Sequence, residues 1–443
     1  MLAVGRRGDG AGMRPLDAEE DAVLRAAFGR FGSERARSRG AEVVRRHQQQ
    51  ARWFFCDCRP DRVRPPALVP VAESHVRRHS EEPWAEHVAE CDFFLDAAEQ
   101  ADLVRSYDRR HGVSGLRLLR RFAEDRAAPA EAPGLHRRSY ERRRESLACL
   151  LTHLAAEAGL QRLGPGFPPP IGEQFRALRR AAQEVDLDRG VPLAEWLCTW
   201  RPDLPLLLRR IDAASGDAFM RGRTYGVLLS VVTGFKSGVL QMAQGEPLEV
   251  RGRISVWEEW TGPAVPGIES GMARAPYLAI CLIGRPGPEE PAEALRAYLH
   301  PCISKTHLML VNGAAERCTL NQLRRLQRWL ALKVELSIEI ERPLHDLCPD
   351  RDEAREPCIP DWILRSDQFA RRGHPLVVVA TMGSEELVYR ERKRRIHAET
   401  AEGLGLQGPV PLVPHTFSGP ARQSQDERDD LCWRAVRLAV AGI

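Results

Sequence analysis

The chain predicts an α+β (mixed α/β) multidomain fold. Its 443 residues exceed what one hydrophobic core usually serves. Helical spacing of apolar residues dominates residues 135–222, whereas β-branched runs bounded by Gly and Pro take over from about Arg223. A group of Cys and His residues between positions 56 and 91 sets a third, N-terminal region apart.

Residues 1–15 are rich in Gly and Arg and predict disorder. "LDAEEDAVLRAAFGRF" follows with Asp17 as a cap and apolar residues at helical spacing, a helix. "RWFFCDCRP" is a short aromatic strand running into a turn. "DRAAPAEAPG" (125–134) has the composition of a linker. Beyond it "SYERRRESLACLLTHLAAEAGL" aligns Leu147, Leu150, Leu151, Leu154 and Leu160 along one side of a helix. "RLGPGFPPPIG" is a loop, and "EQFRALRRAAQEV" and "LAEWLCTW" read as two more helices. Strands are predicted at "TYGVLLSVVTGF", "LEVRGRISVWEEW" and "PYLAICLIG", then a helix at "PAEALRAYLHPCI". The helix "TLNQLRRLQRWLALK" leads into the alternating strand "VELSIEIERPL". The resulting division is 1–15 disordered, 16–125 a Cys/His module, 135–222 helical and 223–443 a mixed-sheet domain.

Bulk composition narrows the function classes. Of 65 basic residues only Lys236, Lys305, Lys333 and Lys393 are Lys, an imbalance that reflects coding bias and says little about nucleic acid. Local clusters say more: "HRRSYERRRE" (136–145) and "YRERKRR" (389–395). No run approaches 18 apolar residues, so no membrane span is predicted. No signal-type apolar stretch opens the chain, so the expected address is the cytoplasm, where the 11 Cys would be reduced thiols or metal ligands.

Cys56 and Cys58, one residue apart in an extended turn, can face one centre, and His87 and Cys91 are spaced i, i+4 as on one helix face. These four soft ligands suit a closed structural Zn2+ site, with His75 and His79 as alternatives. Such a site would hold together a segment too small to build its own core. The other groups read more plainly: "GFKSG" lacks phosphate-loop spacing, His300, Cys302 and His307 lie where a helix would meet a strand, Cys348 and Cys358 are reduced loop thiols, and Trp257 and Trp260 are core.

In the last third, "IPDWIL" is a strand opened by Asp361, "HPLVVVATMG" a strand buried on both faces, and "YRERK" part of a helix bearing Lys393. With Pro360, Met382, Gly383 and Tyr389, this resembles the metal-dependent nuclease core of the PD-(D/E)xK type, in its migrated-lysine arrangement. The resemblance implies a restriction-endonuclease-like fold in which adjacent strands present two carboxylates to Mg2+ and a Lys orients the attacking water. Asp361 takes the first acidic position, but Ala380 stands at the second. The region can therefore be a non-catalytic surface on which Arg390, Lys393, Arg394 and Arg395 contact phosphates. Alternatively it is an active nuclease with Glu385 or Glu386 replacing the missing ligand, or the likeness is superficial and Asp361 caps a turn.

Across most of the chain, "FFCDCRPD", "HVAEC", "SLACLLTHLAAEAGLQR", "GRISVWEEW" and "PLVVVATMGSEELVYRERK" resemble an uncharacterised bacterial family with a domain of unknown function, carried on integrative and conjugative elements and plasmids. That likeness implies mobile-element biology and a Cys-rich N-terminal module, with no established activity. The expectation is a zinc-containing nucleic-acid-binding protein, DNA ahead of RNA, with an inactive nuclease-like domain. An active Mg2+-dependent nuclease and a protein–protein scaffold are the alternatives.

Overall fold

The computed structural model describes residues 2–7, 11–29, 34–59, 62–71, 75–78, 87–88, 91–93, 118–119, 145–188, 190–214, 219, 223–257, 275–348, 358–369, 376–383, 387–406, 410–417 and 424–441. The 125–134 linker, most of the 136–145 basic cluster, His79, Trp260, Glu385 and Glu386 lie outside these residues.

The chain opens with β1 (Leu2–Arg6), β2 (Arg14–Pro15), α1 (Ala18–Phe28), α2 (Glu34–Gln49), β3 (Arg52–Cys56), β4 (Ala67–Val71) and β5 (His75–Arg78). The strands form an antiparallel sheet in the order β2-β1-β3-β4-β5. Asp17 caps α1, its carboxylate accepting from the Glu19 amide at 2.8 Å. Leu2, Val4, Leu24, Val44, Phe54 and Leu68 make a core shared by the sheet and both helices. Two expectations are thereby corrected. The Gly/Arg-rich start is a strand, because Leu2 and Val4 alternate onto the core face and pair with Cys56 and Phe54. The module also builds an apolar core of its own, in which Cys56 and Cys91 themselves take part.

The middle of the chain holds α3 (Ser146–Glu157), β6 (Arg162–Leu163), α4 (Ile171–Ala181), β7 (Asp186–Asp188), β8 (Val191–Pro192), β9 (Leu197–Cys198) and α5 (Leu204–Ala213). It continues through β10 (Tyr225–Lys236), β11 (Val239–Met242), β12 (Leu248–Glu249), β13 (Ile254–Val256), β14 (Tyr277–Gly284), β15 (Glu293–Ser304) and β16 (His307–Leu310). The sheet runs β12-β11-β10-β14-β15-β13, with β16 beside β15 and β9 beside β10. "PAEALRAYLHPCI" is thus strand β15, not a helix. Its Ala and Leu favour helix locally, but β14 hydrogen-bonds along its length and Tyr298–Cys302 are buried on both faces, and tertiary pairing overrides propensity. "LAEWLCTW" is a single 3-10 turn (Leu193–Trp196) feeding β9, which joins the sheet edge instead of extending a helix. Leu150, Leu154, Leu178 and Ile211 from the helices share one core with Leu228, Ile280 and Leu299 from the strands. The packing therefore does not divide at residue 223.

The division falls near residue 311. After it come α6 (Ala314–Lys333), β17 (Glu339–Glu341), β18 (Trp362–Arg365), β19 (Leu376–Met382), α7 (Leu387–Gly403), β20 (Leu412–Thr416) and α8 (Gln425–Ala441). The sheet order is β20-β19-β18-β17-β6, with β19 and β20 parallel and the other pairs antiparallel. Leu323, Leu326 and Leu330 of α6 and Val436 and Val440 of α8 cover one face through Trp362, Val377 and Val379. The opposite face, carrying Ile363, Leu376 and Val378, packs against Ala401 of α7 and Leu404 just beyond it. The edge strand β6 comes from the middle of the chain, and the Gln327 side chain reinforces it by donating to Leu163 O at 3.2 Å. Among the described residues no helix is long and apolar enough to cross a membrane.

Because Leu2 is fully buried in a strand between two others, Leu2→Ala should destabilise the N-terminal module by about 3 kcal/mol. A urea titration of the variant beside the native chain checks it; an unchanged midpoint would mean the strand contributes nothing.

Candidate metal centre and nuclease-like site

Strand β3 ends on Cys56, and the turn that follows brings Cys58 back toward it. His87 and Cys91 do not lie on a helix: residues 87–88 have no regular secondary structure, and the Cys91 amide donates to Val88 O at 2.9 Å. The four ligand atoms lie within 4.8 Å of one another. Cys56 Sγ is 3.5 Å from Cys91 Sγ, and His87 Nδ1 is 3.3 Å from Cys91 Sγ and 3.6 Å from Cys58 Sγ. Metal–sulfur bonds of about 2.3 Å in a tetrahedron place ligand atoms roughly 3.5–3.8 Å apart, close to the three short separations here, so a small closing movement would let this Cys3His cluster hold a metal ion.

The electrostatics already favour thiolate at one corner. Hydrogen bonding from the Cys56 thiol, helped by His87 and the Phe93 amide, brings the Cys91 thiol down to about 4. Cys56, which holds the shared proton in a buried position, is pushed up. The remaining His87 nitrogen, Nε2, is buried and makes no hydrogen bond. Phe93 anchors the segment in the core, with the Arg25 guanidinium over its ring and paired to Asp92 at 2.7 Å. His75 lies on β5, and its side chain is outside the described residues.

The second site lies where β18 begins. Asp361 is 6% exposed, and its Oδ2 accepts the Thr381 amide of β19 at 2.8 Å. Trp362 pairs with Val379, so one step further along that antiparallel register Asp361 faces Ala380. Side chains alternate, so both belong to the face of Ile363 and Val378, the face that α7 covers. Down from α7 comes Lys393, whose Nζ bonds both Asp361 oxygens. Among the described residues no group of three or more His, Cys, Asp or Glu side chains at metal-ligand spacing includes Asp361.

Residues 312–426 match the restriction endonuclease-like C-terminal domain family. The C-terminal domain is endonuclease-like. Residues 1–97 and 108–302 match two domains of unknown function, DUF8534 and DUF8535. No curated protein and no solved structure matches the chain.

Behind Asp361 the endonuclease-like domain carries a buried polar chain that local sequence did not signal. Trp362 Nε1 donates to Thr381 Oγ1 at 3.1 Å, Thr381 Oγ1 donates to Thr319 Oγ1 at 3.0 Å, and Thr319 Oγ1 meets His415 Nδ1 at 2.8 Å. Asp429 of α8 holds the other His415 nitrogen at 2.9 Å. The chain ties β18, β19, β20, α6 and α8 together, and its members are scattered over more than 100 residues of sequence. Arg390, Arg394 and Arg395 are exposed on α7, whereas Lys393 is turned inward. His300 bonds Tyr298 and stacks on Trp257, and burial drives His307 to about 4. Cys348 and Cys358 are buried thiols whose sulfurs reach the α7 carbonyls of Glu399 and Ile396.

A carboxylate this buried depends on its cation. Lys393→Met should cost about 3 kcal/mol, and adding Asp361→Ala should recover much of that, because the unpaired charge is then gone. Denaturant unfolding of both single variants and the double variant measures the coupling; additive losses would mean the pair is unimportant.

Proposed function

We propose that the chain is a zinc-containing DNA-binding protein whose endonuclease-like domain is a binding platform and does not cut. The observation that carries this reading is the ammonium of Lys393 on both oxygens of Asp361, opposite Ala380. Phosphodiester hydrolysis of this type needs a divalent cation between two acidic side chains. Alanine provides no ligand, and the Asp361 carboxylate is already neutralised by Lys393. Phosphate contact then falls to Arg390, Arg394 and Arg395, which α7 exposes. The likeness of the chain to a family of mobile elements supports a role in maintaining or transferring such an element.

Incubated with supercoiled plasmid and Mg2+ or Mn2+, the native protein should leave the plasmid intact, as should Asp361→Ala. Cleavage by the native chain that is lost in Asp361→Ala would overturn the platform reading in favour of an active nuclease.

The metal is zinc on the chemistry of its ligands: three thiolates and one imidazole are soft donors that suit tetrahedral Zn2+ and leave no open position for substrate. Protein purified without chelator should contain one zinc per chain by elemental analysis. Cys58→Ser and Cys91→Ser should lose the metal and melt at lower temperature; zinc retained at full occupancy in both would exclude this site.

A further inference from the structure

Helix α2 of the N-terminal module lies against α7 of the endonuclease-like domain, with backbone positions within 8 Å. Both helices are cationic. The α2 sequence "ERARSRGAEVVRRHQQ" carries five Arg against two Glu, and residues 390–395 of α7 carry five cations against Glu391 alone. Arg39 and Arg46 are exposed on α2, with Arg45 half-buried beside them, and Arg390, Arg394 and Arg395 are exposed on α7. Arg46 pairs with Glu20 and Lys393 with Asp361. Bringing two helices of like charge together is unfavourable in isolation and concentrates positive potential along their shared rim.

We infer that α2 and α7 form one composite phosphate-binding ridge, so that the zinc module and the endonuclease-like domain grip a single DNA duplex together. The inference rests on the DNA-binding reading above and adds that the N-terminal module is half of the contact surface. At roughly 1.5 Å per residue, Arg39–Arg46 and Arg390–Arg395 each spread charge over roughly 8–10 Å. Phosphates along each strand of B-DNA rise roughly 3.4 Å apart, so each helix meets two or three. The zinc cluster has a place in this arrangement. It secures residues 87–88 and 91–93 beside the sheet on which α2 packs, and so steadies the helix that α7 touches.

The test is fluorescence anisotropy of a labelled 30-base-pair duplex with the full zinc-loaded chain over a range of salt concentrations. Arg39→Glu/Arg45→Glu on α2 and Arg394→Glu/Arg395→Glu on α7 should each weaken Kd at least ten-fold. Each should also flatten the dependence of log Kd on log salt by roughly 1–2, at about 0.9 for every phosphate that is no longer neutralised. Arg176→Glu, on exposed α4, should change neither by more than two-fold. If the α7 pair weakens binding and the α2 pair does not, the composite ridge is overturned while DNA binding stands. If Arg176→Glu weakens binding as much, the effect is net charge and the ridge is again overturned. No binding by the native chain overturns the DNA-binding reading itself, and tighter binding to duplex RNA of the same sequence overturns the assignment to DNA. Should the α2 pair fail to fold by circular dichroism, the single exposed change Arg39→Gln carries the same expectation at about three-fold.

Discussion

Asp361 carries a carboxylate into the covered face of a β-sheet, and a charge in that position must be neutralised where it stands. In a metal-dependent nuclease the neutralising group is a divalent cation, itself held by a second acid. Here Ala380 faces Asp361 across the paired strands, and the ammonium of Lys393 sits on both Asp361 oxygens. This one contact fixes where α7 must lie. The helix also has to approach closely at its end, where a Cβ on Gly403 would sit 2.2 Å from Cys348 Sγ. Cys348 and Cys358 are seated against the same helix: Asp346 accepts the amides of both at 2.9 Å, and the two thiols rest on α7 carbonyls.

The same helix links the domain to the rest of the molecule. α7 faces β19 on one side and touches α2 on another, so the pairing that neutralises Asp361 also positions the surface that meets the N-terminal module. Within that module the Cys3His cluster sits at the edge of the core that Leu2, Val4, Leu24 and Phe54 make, and contributes Cys56 and Cys91 to it. What it secures is the 87–93 segment, whose only apolar anchor among the described residues beyond Val88 and Cys91 is Phe93.

The middle region is bound in more tightly than a linker would allow. β6 completes the endonuclease-like sheet, the Arg342 amide donates to Gln161 O at 2.8 Å, and the Arg342 guanidinium pairs with Glu316 deep in the interior at 2.7 Å. Asn312 satisfies the same carboxylate with its backbone and side-chain amides, so the buried pair leaves neither Glu316 oxygen without a donor. Residues 162–163 thus belong in sequence to the middle region and in space to the endonuclease-like domain.

Sequence by itself determined the features set by local spacing. The Cys-x-Cys and His-x-x-x-Cys pairs could be read as one ligand set because each pair is short-range, and Asp361, Ala380 and Lys393 could be placed because strand, strand and helix follow one another with clear patterns. The helices α1, α3, α4 and α6 show their apolar spacing openly. Tertiary structure alone decided what depends on partners far away in the chain. Leu2 and Val4 are a strand because β3 lies beside them, and β15 is a strand because β14 pairs with it. Lys393 turns inward because Asp361 is buried there, and His415 is fully buried because Thr319 and Asp429 hold both its nitrogens. The physical reason is common to all four. A local preference is worth a few tenths of a kcal/mol per residue, whereas completing a sheet or pairing a buried charge involves about 1–3 kcal/mol each, and only the fold brings those partners together.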